Sequence, residues 1–420
     1  MSPILARACI ACALVISGSW ACARGGELTL ADALDAALRN HPDLRASAFE
    51  LSAAQARSVQ ANLRPNPELA LELENFGGSG AASDTGALET TLSLSQVLEL
   101  GGRRALRRNS AAAGLEVASI EQQARELDVL AEVAARFIDV VASQEQEQLA
   151  VESVRLAQFT LDSIDGRVAA GRSPLAEQSR ARIALTRARI ERRQAASELG
   201  TARHVLAASW GSPEPDFTTA RAALFELRAV DPVQTLIDRL DASPDLARYA
   251  SEARLREAEL RLARVQARPN LAVSLGLRRL EETGDTALVA GISLPLAFSD
   301  RNQAAIREAQ VRLDQTGALA AAARVRARAS LLALYQQVSA DRERVETLRK
   351  EALPQAQLAL EQTRGGYERG RFSFLDLITA QEELLALRGA AIDAAADYHR
   401  LLAQIERLTG VAAIRPTTTP

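Results

Sequence analysis

Residues 114–166 read GLEVASIEQQARELDVLAEVAARFIDVVASQEQEQLAVESVRLAQFTLDSIDG, and this stretch decides the fold. Between its terminal glycines it contains neither glycine nor proline, and it is dense in Ala, Leu, Glu, Gln and Arg, which are good helix formers. Apolar residues recur at steps of three and four from Ile120 to Val141, and a second apolar set from Leu130 to Val140 lies on a neighbouring face. The sequence therefore predicts one helix from about Gly102 to Arg167. It would be roughly 100 Å long, with two sides to bury.

The composition supports long helices and sets limits on function. The chain has 420 residues, of which 4% are aromatic and 25% are charged, and Ala and Leu dominate. Its net charge of −3 gives no sign of a nucleic-acid binder, so we expect no nucleic-acid partner. No run of eighteen or more apolar residues follows the N-terminal region, which argues against a transmembrane helix.

Residues 1–23 are predicted to be a signal peptide. Arg7 precedes an apolar core at 8–16, and Ala21-Cys22-Ala23 fits the small-x-small cleavage pattern. All three cysteines lie in this segment, so the mature chain would have no disulfide. Two outcomes remain open for Cys22: removal with the signal peptide, which we favour, or lipid modification as the first mature residue. At the other end, residues 411–420 are expected to form a disordered tail.

The periodicity changes to two on either side of a loop rich in glycine and serine. Over 68–76 and 87–97, leucines alternate with polar residues, which predicts two strands joined as a hairpin. The polar positions carry four carboxylates, which lie on one face of the hairpin: Glu68, Glu72, Glu74 and Glu89.

The second half of the chain repeats this plan about 200 residues later. Pro244-Asp245-Leu246 repeats Pro42-Asp43-Leu44, and Arg268-Pro269-Asn270 repeats Arg64-Pro65-Asn66. Strands are predicted at about 271–279 and 286–297, followed by a long helix bent at Pro354 and a return helix. The expected organisation is a first repeat at 24–211, a linker at 212–230 and a second repeat at 231–410. Each repeat is a helix, a β-hairpin, a long helix and a helix, so the fold is mainly α with a small β part.

Strands of about ten residues with one apolar and one polar face suit a transmembrane barrel. Four strands cannot close a barrel, and open strand edges in lipid would leave backbone groups unsatisfied. The barrel must therefore be shared between subunits, and a homotrimer would give a 12-stranded β-barrel. Each long helix would be matched by two shorter helices stacked end to end, so three chains would continue the barrel as a 12-rod α-helical tunnel.

The sequence also resembles a known family, the TolC-like outer membrane factors of Gram-negative bacteria, over about residues 28–410. The resemblance rests on four stretches: Asn40-His41-Pro42-Asp43-Leu44, Arg64-Pro65-Asn66-Pro67-Glu68-Leu69, residues 72–77, and 89–103 (ETTLSLSQVLELGGR). These stretches look most like the branch that serves cobalt–zinc–cadmium resistance pumps. The resemblance implies a trimeric channel whose 12-stranded barrel lies in the outer-membrane lipid and whose helical tunnel lies in the periplasm. It also implies docking on a periplasmic adaptor protein and an inner-membrane pump of the resistance-nodulation-division (RND) type.

The same resemblance implies a gate at the periplasmic helix turns. Tyr367 falls on the gate tyrosine of the family, Glu177 on its acidic partner, and Asp376 on the first aspartate of an acidic ring. Gly171 and Gly370 match the tip glycines. The family's gate arginine falls at Phe372, with Arg371 adjacent, and the second aspartate of the ring falls at Thr379. We therefore expect Tyr367 and Glu177 to hydrogen-bond in a closed state.

The residue inventory points to a duct and not to an enzyme. The histidines (His41, His204, His399) are widely spaced and no clustered soft-metal ligands occur, so we expect no catalytic residue, no metal site and no cofactor. Selection of a metal substrate would then belong to the pump. The four carboxylates of the first hairpin would give an acidic lumen favouring divalent cations, partly offset by Arg278 and Arg279; a hydrated wall without selectivity is the alternative.

These observations predict the outer-membrane exit duct of a tripartite RND-type efflux system that exports divalent heavy-metal cations. Two alternatives remain open. The same duct could serve drug efflux or type I secretion, because a duct carries whatever its pump delivers. A protein of another class, a periplasmic adaptor or coiled-coil tether without a channel, would share the long helices but generally lacks duplicated hairpins.

Overall fold

The computed structural model describes residues 26–410. The predicted signal peptide at 1–23 and the predicted tail at 411–420 lie outside the described residues. The elements in chain order are β1 (Gly26–Thr29), α1 (Leu30–Asn40), α2 (Pro42–Ala61), β2 (Glu68–Glu74), β3 (Glu89–Leu98), α3 (Arg103–Ala169), α4 (Leu175–Ala208), β4 (Phe217–Arg221), α5 (Val233–Asp241), α6 (Pro244–Gln266), β5 (Leu271–Leu280), β6 (Thr286–Ser293), α7 (Gln303–Thr347), α8 (Leu353–Glu368) and α9 (Phe374–Thr409). The predicted fold, mainly α with a small β part, is confirmed.

The predicted rod is the single helix α3, which has 67 residues. It begins directly after Gly101 and Gly102, whose φ angles of 70° and 76° let the chain turn out of β3. It ends at Gly171, where φ is 69° and the amide of Arg172 donates to the Arg167 carbonyl at 2.8 Å. At about 1.5 Å per residue, α3 is roughly 100 Å long, and its length organises the molecule.

The shorter helices stack end to end along the long ones. The end of α4 meets the start of α2, since a Cβ on Gly211 would lie 3.8 Å from the Asn40 carbonyl oxygen. In the second repeat a Cβ on Gly410 would lie 3.1 Å from Cδ of Pro244, so α9 meets α6 in the same way. The α2–α4 rod packs against α3, which packs in turn against the α6–α9 rod, and that rod packs against α7 and α8. The protomer is thus a layer of four rods.

The irregularity expected at Pro354 is a π-helical turn at Leu348–Ala352, between α7 and α8. Proline lacks the amide that would continue the α-helical bonding, and a widened turn accommodates this loss without ending the rod.

The two hairpins join in one antiparallel sheet of order β2-β3-β5-β6. Leu71, Leu92, Leu277 and Leu288 are paired across all four strands, so one row of leucines crosses one face. The next row, on the opposite face, contains Glu72, Thr91 and Arg278. The strands differ from the expected bounds by one to four residues. The largest difference is that β6 ends at Ser293 and not at 297, since Pro295 has no amide for the ladder.

The range 212–230, expected to be a plain linker, contains a strand that the sequence analysis missed. β4 pairs in parallel with β1, near the start of the described chain. Phe217 and Ala220 of β4 are buried with Val133, Phe137 and Val140 of α3, in a core that also includes α1. A parallel pair between segments almost 200 residues apart leaves little local signal, because each strand has only four or five residues.

Candidate functional site

The two helix turns at the far end of the rods have the same backbone design. The first connects α3 to α4 through Gly171, and the second connects α8 to α9 through Gly370, whose φ is 74°. In the second turn the amide of Arg371 donates to the Gly366 carbonyl at 2.8 Å, as Arg172 does to Arg167 in the first. Only a residue that tolerates positive φ fits these positions, which explains the two glycines. The side chain of Arg371 is exposed.

The structure brings Tyr367 and Glu177 together. Tyr367 is 4% exposed and packs in a cluster with Leu161, Leu185 and Phe374, the ring centroid of Phe374 lying 6.4 Å away. Its hydroxyl donates a hydrogen bond to Oε2 of Glu177 at 3.3 Å. Burial raises the pKa of Tyr367, and the carboxylate of Glu177 adds to this rise although hydrogen bonding with Ser173 opposes it. The hydroxyl therefore stays protonated and remains a donor at physiological pH.

Glu177 and Asp376 occupy the same position in the two repeats, the third residue of the return helix, but their side chains do different things. Asp376 completes a capping box: the amide and hydroxyl of Ser373 donate to Oδ2 of Asp376 at 2.8 and 2.7 Å. These hydrogen bonds from Ser373 lower the pKa of Asp376. Before α4 the capping position is Pro174, which has neither amide nor hydroxyl. Glu177 therefore has no capping partner and is free to reach Tyr367.

Arg167 is a residue of this site that the sequence analysis missed. Its guanidinium lies 4.6 Å from the centroid of the Tyr367 ring, which is cation–π geometry. Nη1 donates to the carbonyl oxygens of Tyr367 and Glu368 at 3.2 and 3.4 Å, and Nε donates to Ser173 at 3.1 Å. Arg167 thus ties the α3–α4 turn to the α8–α9 turn. No motif marks it, because one arginine among many on a long helix carries no local signal.

Phe372, at the position of the family's gate arginine, lies against the helix. A Cβ on Gly366 would lie 2.0 Å from a ring carbon of Phe372, so this close approach requires glycine at 366. The turn at Gly370 is therefore closed by an aromatic ring packed on a glycine, at the position where this sequence departs from the family's gate arginine.

The sheet places all four predicted carboxylates on its polar face. Glu74 pairs with Glu89 across the first hairpin, Glu72 with Thr91, and Glu68 with Ser95. Arg278 lies on the same face and donates to Glu89 at 2.6 Å, to Thr91 at 2.9 Å and to Glu74 at 3.1 Å. The expectation that Arg279 also offsets this acidic face was wrong. Strand alternation turns it to the leucine face, where it contacts Glu281 and the Gly284 carbonyl.

Over residues 26–410, His, Cys, Asp and Glu side chains nowhere form a group of three or more that could hold a metal ion. In the same range no helix combines the length and apolarity needed to cross a bilayer. The first region thus offers two helix turns joined by hydrogen bonds, and the second a sheet face that carries charged side chains.

Comparisons with known proteins agree with this architecture. The model of the outer membrane efflux protein family matches residues 33–212 and 236–411. The chain is 31% identical over 385 residues to the cobalt-zinc-cadmium resistance protein CzcC of Cupriavidus metallidurans, covering 92% of this chain and 90% of the relative. It is 26% identical over 258 residues to the pyoverdine export outer membrane protein OpmQ of Pseudomonas aeruginosa, covering 58% of this chain and 54% of the relative.

Among solved structures, the fold is similar to the outer membrane protein VceC from Vibrio cholerae. The TM-score is 0.74 at 20% identity, with 91% of this chain and 96% of that chain covered. The family match covers both repeats, and the CzcC alignment runs over nearly the full length of both chains. The chain therefore belongs to the outer membrane efflux protein family and is an outer-membrane efflux component.

Proposed function

We propose that this chain is the exit duct of a tripartite efflux system that exports divalent heavy-metal cations such as cobalt, zinc and cadmium. The working form is a homotrimer with a 12-stranded outer-membrane barrel and a 12-rod periplasmic tunnel. Its partners are a periplasmic adaptor and an inner-membrane RND pump. The observation that carries the proposal is the four-stranded sheet, which has an exposed leucine face, a charged face and two free edges.

The leucine face fits lipid. Leu71 is 64% exposed and Leu288 is 70% exposed, and the same row continues through Leu92 and Leu277. A contiguous apolar band of this kind marks an interaction surface, because a sheet face that is exposed to water normally carries polar side chains. The opposite face carries the carboxylates and Arg278 and suits a hydrated lumen.

The free edges fit a closed ring of copies. β2 and β6 form the two edges of the sheet, and the strands between them alternate in direction. An even number of alternating strands places β6 of one copy antiparallel to β2 of the next, so every junction has the same pairing. Closure satisfies the edge amides and carbonyls, which lipid cannot do.

The helical layer supports the same assembly. Its two outermost rods carry large apolar side chains that are half exposed or more, among them Phe49 and Ile190 on the α2–α4 rod and Val311 and Val325 on α7. Packing the α2–α4 rod of one copy against α7 of the next would bury both sets. The same ring operation then closes the sheet and the tunnel.

The substrate proposal rests on the relatives. CzcC aligns over nine-tenths of both chains at 31% identity, whereas the pyoverdine export proteins OpmQ of Pseudomonas aeruginosa and Pseudomonas putida are 26% and 24% identical. The name of CzcC links it to cobalt, zinc and cadmium resistance. The acidic wall formed by Glu68, Glu72, Glu74 and Glu89 is compatible with a stream of cations.

The helix turns are proposed as the periplasmic gate. Tyr367 and Glu177, with Arg167 beside them, would hold the α3–α4 turn and the α8–α9 turn of each protomer together in the closed state. Gly171 and Gly370 would shape the tips, with the exposed Arg371 beside the second. In a trimer, three copies of Asp376 would form an acidic ring with the carboxylate oxygen that Ser373 does not use.

Deletion and complementation test the substrate. A strain lacking this protein should become sensitive to zinc, cobalt or cadmium and recover with the parent gene. Unchanged metal tolerance combined with new antibiotic sensitivity would indicate that the duct serves drug efflux instead.

A pair of neighbouring substitutions tests the duct itself. Leu71→Arg places a charge on the lipid face at a cost of about 2–4 kcal/mol per protomer and should abolish outer-membrane insertion. Ala70→Arg, one residue away on the polar face, should insert normally. Equal insertion of both variants, or a soluble monomeric parent protein, would refute the barrel.

A further inference from the structure

The polar face of the sheet carries a single cationic side chain. In the four strands β2, β3, β5 and β6 the only arginines or lysines are Arg278 and Arg279, and Arg279 lies on the leucine face. Four carboxylates share the face with Arg278. On the second hairpin the other polar-face positions are mostly small, including Ser274, Gly276 and Gly291. Nothing on that hairpin other than Arg278 can compensate the carboxylates.

Arg278 lies across the wall and bridges both hairpins. It starts on β5, crosses β3 with Nε donating to the Thr91 hydroxyl at 2.9 Å, and reaches β2. Nη1 contacts Glu89 at 2.6 Å and Nη2 contacts Glu74 at 3.1 Å. One planar guanidinium thus occupies the space between two carboxylates on adjacent strands, and its side chain is 31% exposed. Such a fork binds two carboxylates in fixed directions, which a lysine cannot match.

The position of this bridge along the strands matters. Glu74 ends β2 and Glu89 begins β3, so both lie at the end of the sheet away from the helices. Glu68 begins β2, beside the helical end, and Glu72 lies between the two ends. Two carboxylates and one guanidinium leave one net negative charge in this group of each protomer, while neither Glu68 nor Glu72 makes an ion pair with an arginine among the described residues.

We propose that Arg278 is a specificity-determining residue of the pore, an internal counter-ion at its outer mouth. It halves the negative charge of the Glu74–Glu89 pair and keeps that pair from binding the divalent cations that pass. Cations are then drawn along the acidic wall and released at the exit without being trapped. The inference rests on the proposed function, since it requires the polar face to line a conducting lumen.

A purely structural role for the bridge makes a different prediction. If Arg278 only joined the hairpins, its loss would lower trimer stability and leave ion preference unchanged. Arg279→Gln is the matched control, because it removes the same charge at the same height of β5 from the opposite face. Glu74→Gln combined with Glu89→Gln is the reciprocal variant, which keeps Arg278 and removes its partners.

The test is planar-bilayer recording of the full-length trimer in a potassium chloride gradient, with zinc chloride added from either side. Each variant is first checked for a detergent-resistant trimer. Arg278→Gln adds one unpaired charge per protomer. At about 10 Å and 0.1 M salt, three such charges favour potassium about twofold and disfavour chloride about twofold, so the potassium-to-chloride permeability ratio should rise about fivefold. We also expect Arg278→Gln to show zinc block at concentrations that leave the parent channel open.

The carboxylate double variant should shift the permeability ratio toward chloride, and Arg279→Gln should match the parent. Arg278→Gln with the parent's permeability ratio and no zinc block would overturn the inference while leaving the duct intact. If Arg278→Gln gave no stable trimer, the carboxylate double variant would provide the test instead. A permeability ratio equal to the parent's in that double variant would also overturn the inference. If the parent protein formed no pore, or formed a pore that prefers anions, the proposed cation duct itself would be refuted.

Discussion

Removing the hydroxyl of Tyr367 is the sharpest test of the proposed gate. Tyr367→Phe deletes the 3.3 Å hydrogen bond to Glu177 and leaves the ring packed against Phe374 and under Arg167. Glu177 is only partly buried, so water can replace the lost donor, and the net cost is that of one ordinary hydrogen bond, about 1 kcal/mol. This shifts each protomer roughly fivefold toward the released state, and three locks acting together roughly a hundredfold.

Single-channel recording of the purified trimer measures this shift as a larger open fraction or a higher mean conductance. Glu177→Ala should have a similar effect, and the double variant should add little, because both changes break one bond. Burial raises the pKa of Tyr367, so the difference between parent and variant should persist from neutral pH to about pH 9. Tyr335→Phe on α7 is the control for loss of a tyrosine hydroxyl elsewhere. If Tyr367→Phe conducted like the parent and like this control, the latch would be refuted.

Three further predictions concern the turns and the core. Arg167→Gln removes the guanidinium from the Tyr367 ring and from two carbonyl oxygens, and should raise the open fraction in the same direction; combined with Tyr367→Phe it should give less than the sum of the two effects in the same recordings. Gly366→Ala places a methyl group 2.0 Å from the Phe372 ring and should destabilise the protein by about 1–3 kcal/mol in thermal unfolding, and adding Phe372→Ala should recover most of this loss. Burial lowers the pKa of His399, and the contact of its Nε2 with the Leu224 carbonyl at 2.8 Å only partly opposes this effect. As the pH falls, the histidine therefore becomes protonated in the unfolded chain before it does in the folded one. The melting temperature should therefore decrease below about pH 6.5, and His399→Gln should flatten that dependence.

Hydrophobic periodicity and the positions of glycine and proline made much of the fold predictable. The long glycine-free helix, the change to a period of two and the repetition of the Arg-Pro-Asn stretch after 200 residues are all local patterns. Since a helix spanning 67 residues must find partners along its whole length, the stacking of α2 with α4 followed from their lengths. The strand pair β1–β4 was missed because two short parallel strands far apart in sequence leave no pattern in either segment.

The candidate site divided in the same way. Tyr367 and Glu177 were predicted from the resemblance to the outer membrane factors, which places them on the family's gate tyrosine and its acidic partner. Arg167 was not predicted, because its role depends on which helix of the other repeat lies beside it. The different roles of Glu177 and Asp376 depend on a single substitution between the repeats, Pro174 in place of Ser373. That difference is visible in the sequence but has meaning only once Tyr367 is known to lie within reach.

The sequence by itself determined the long helices, the four strands of the two hairpins and which face of each of these strands is apolar, because these depend on residues a few positions apart. The recurrence of the same patterns in the second half gave the duplication. Only the tertiary structure decided which charges meet. Arg278 and Arg279 are adjacent residues of the same type. Strand pairing nevertheless places Arg278 among the carboxylates of the first hairpin and Arg279 on the leucine face. The physical reason is that electrostatic contacts act over a few ångströms between segments far apart in sequence, and only the packed chain brings those segments together.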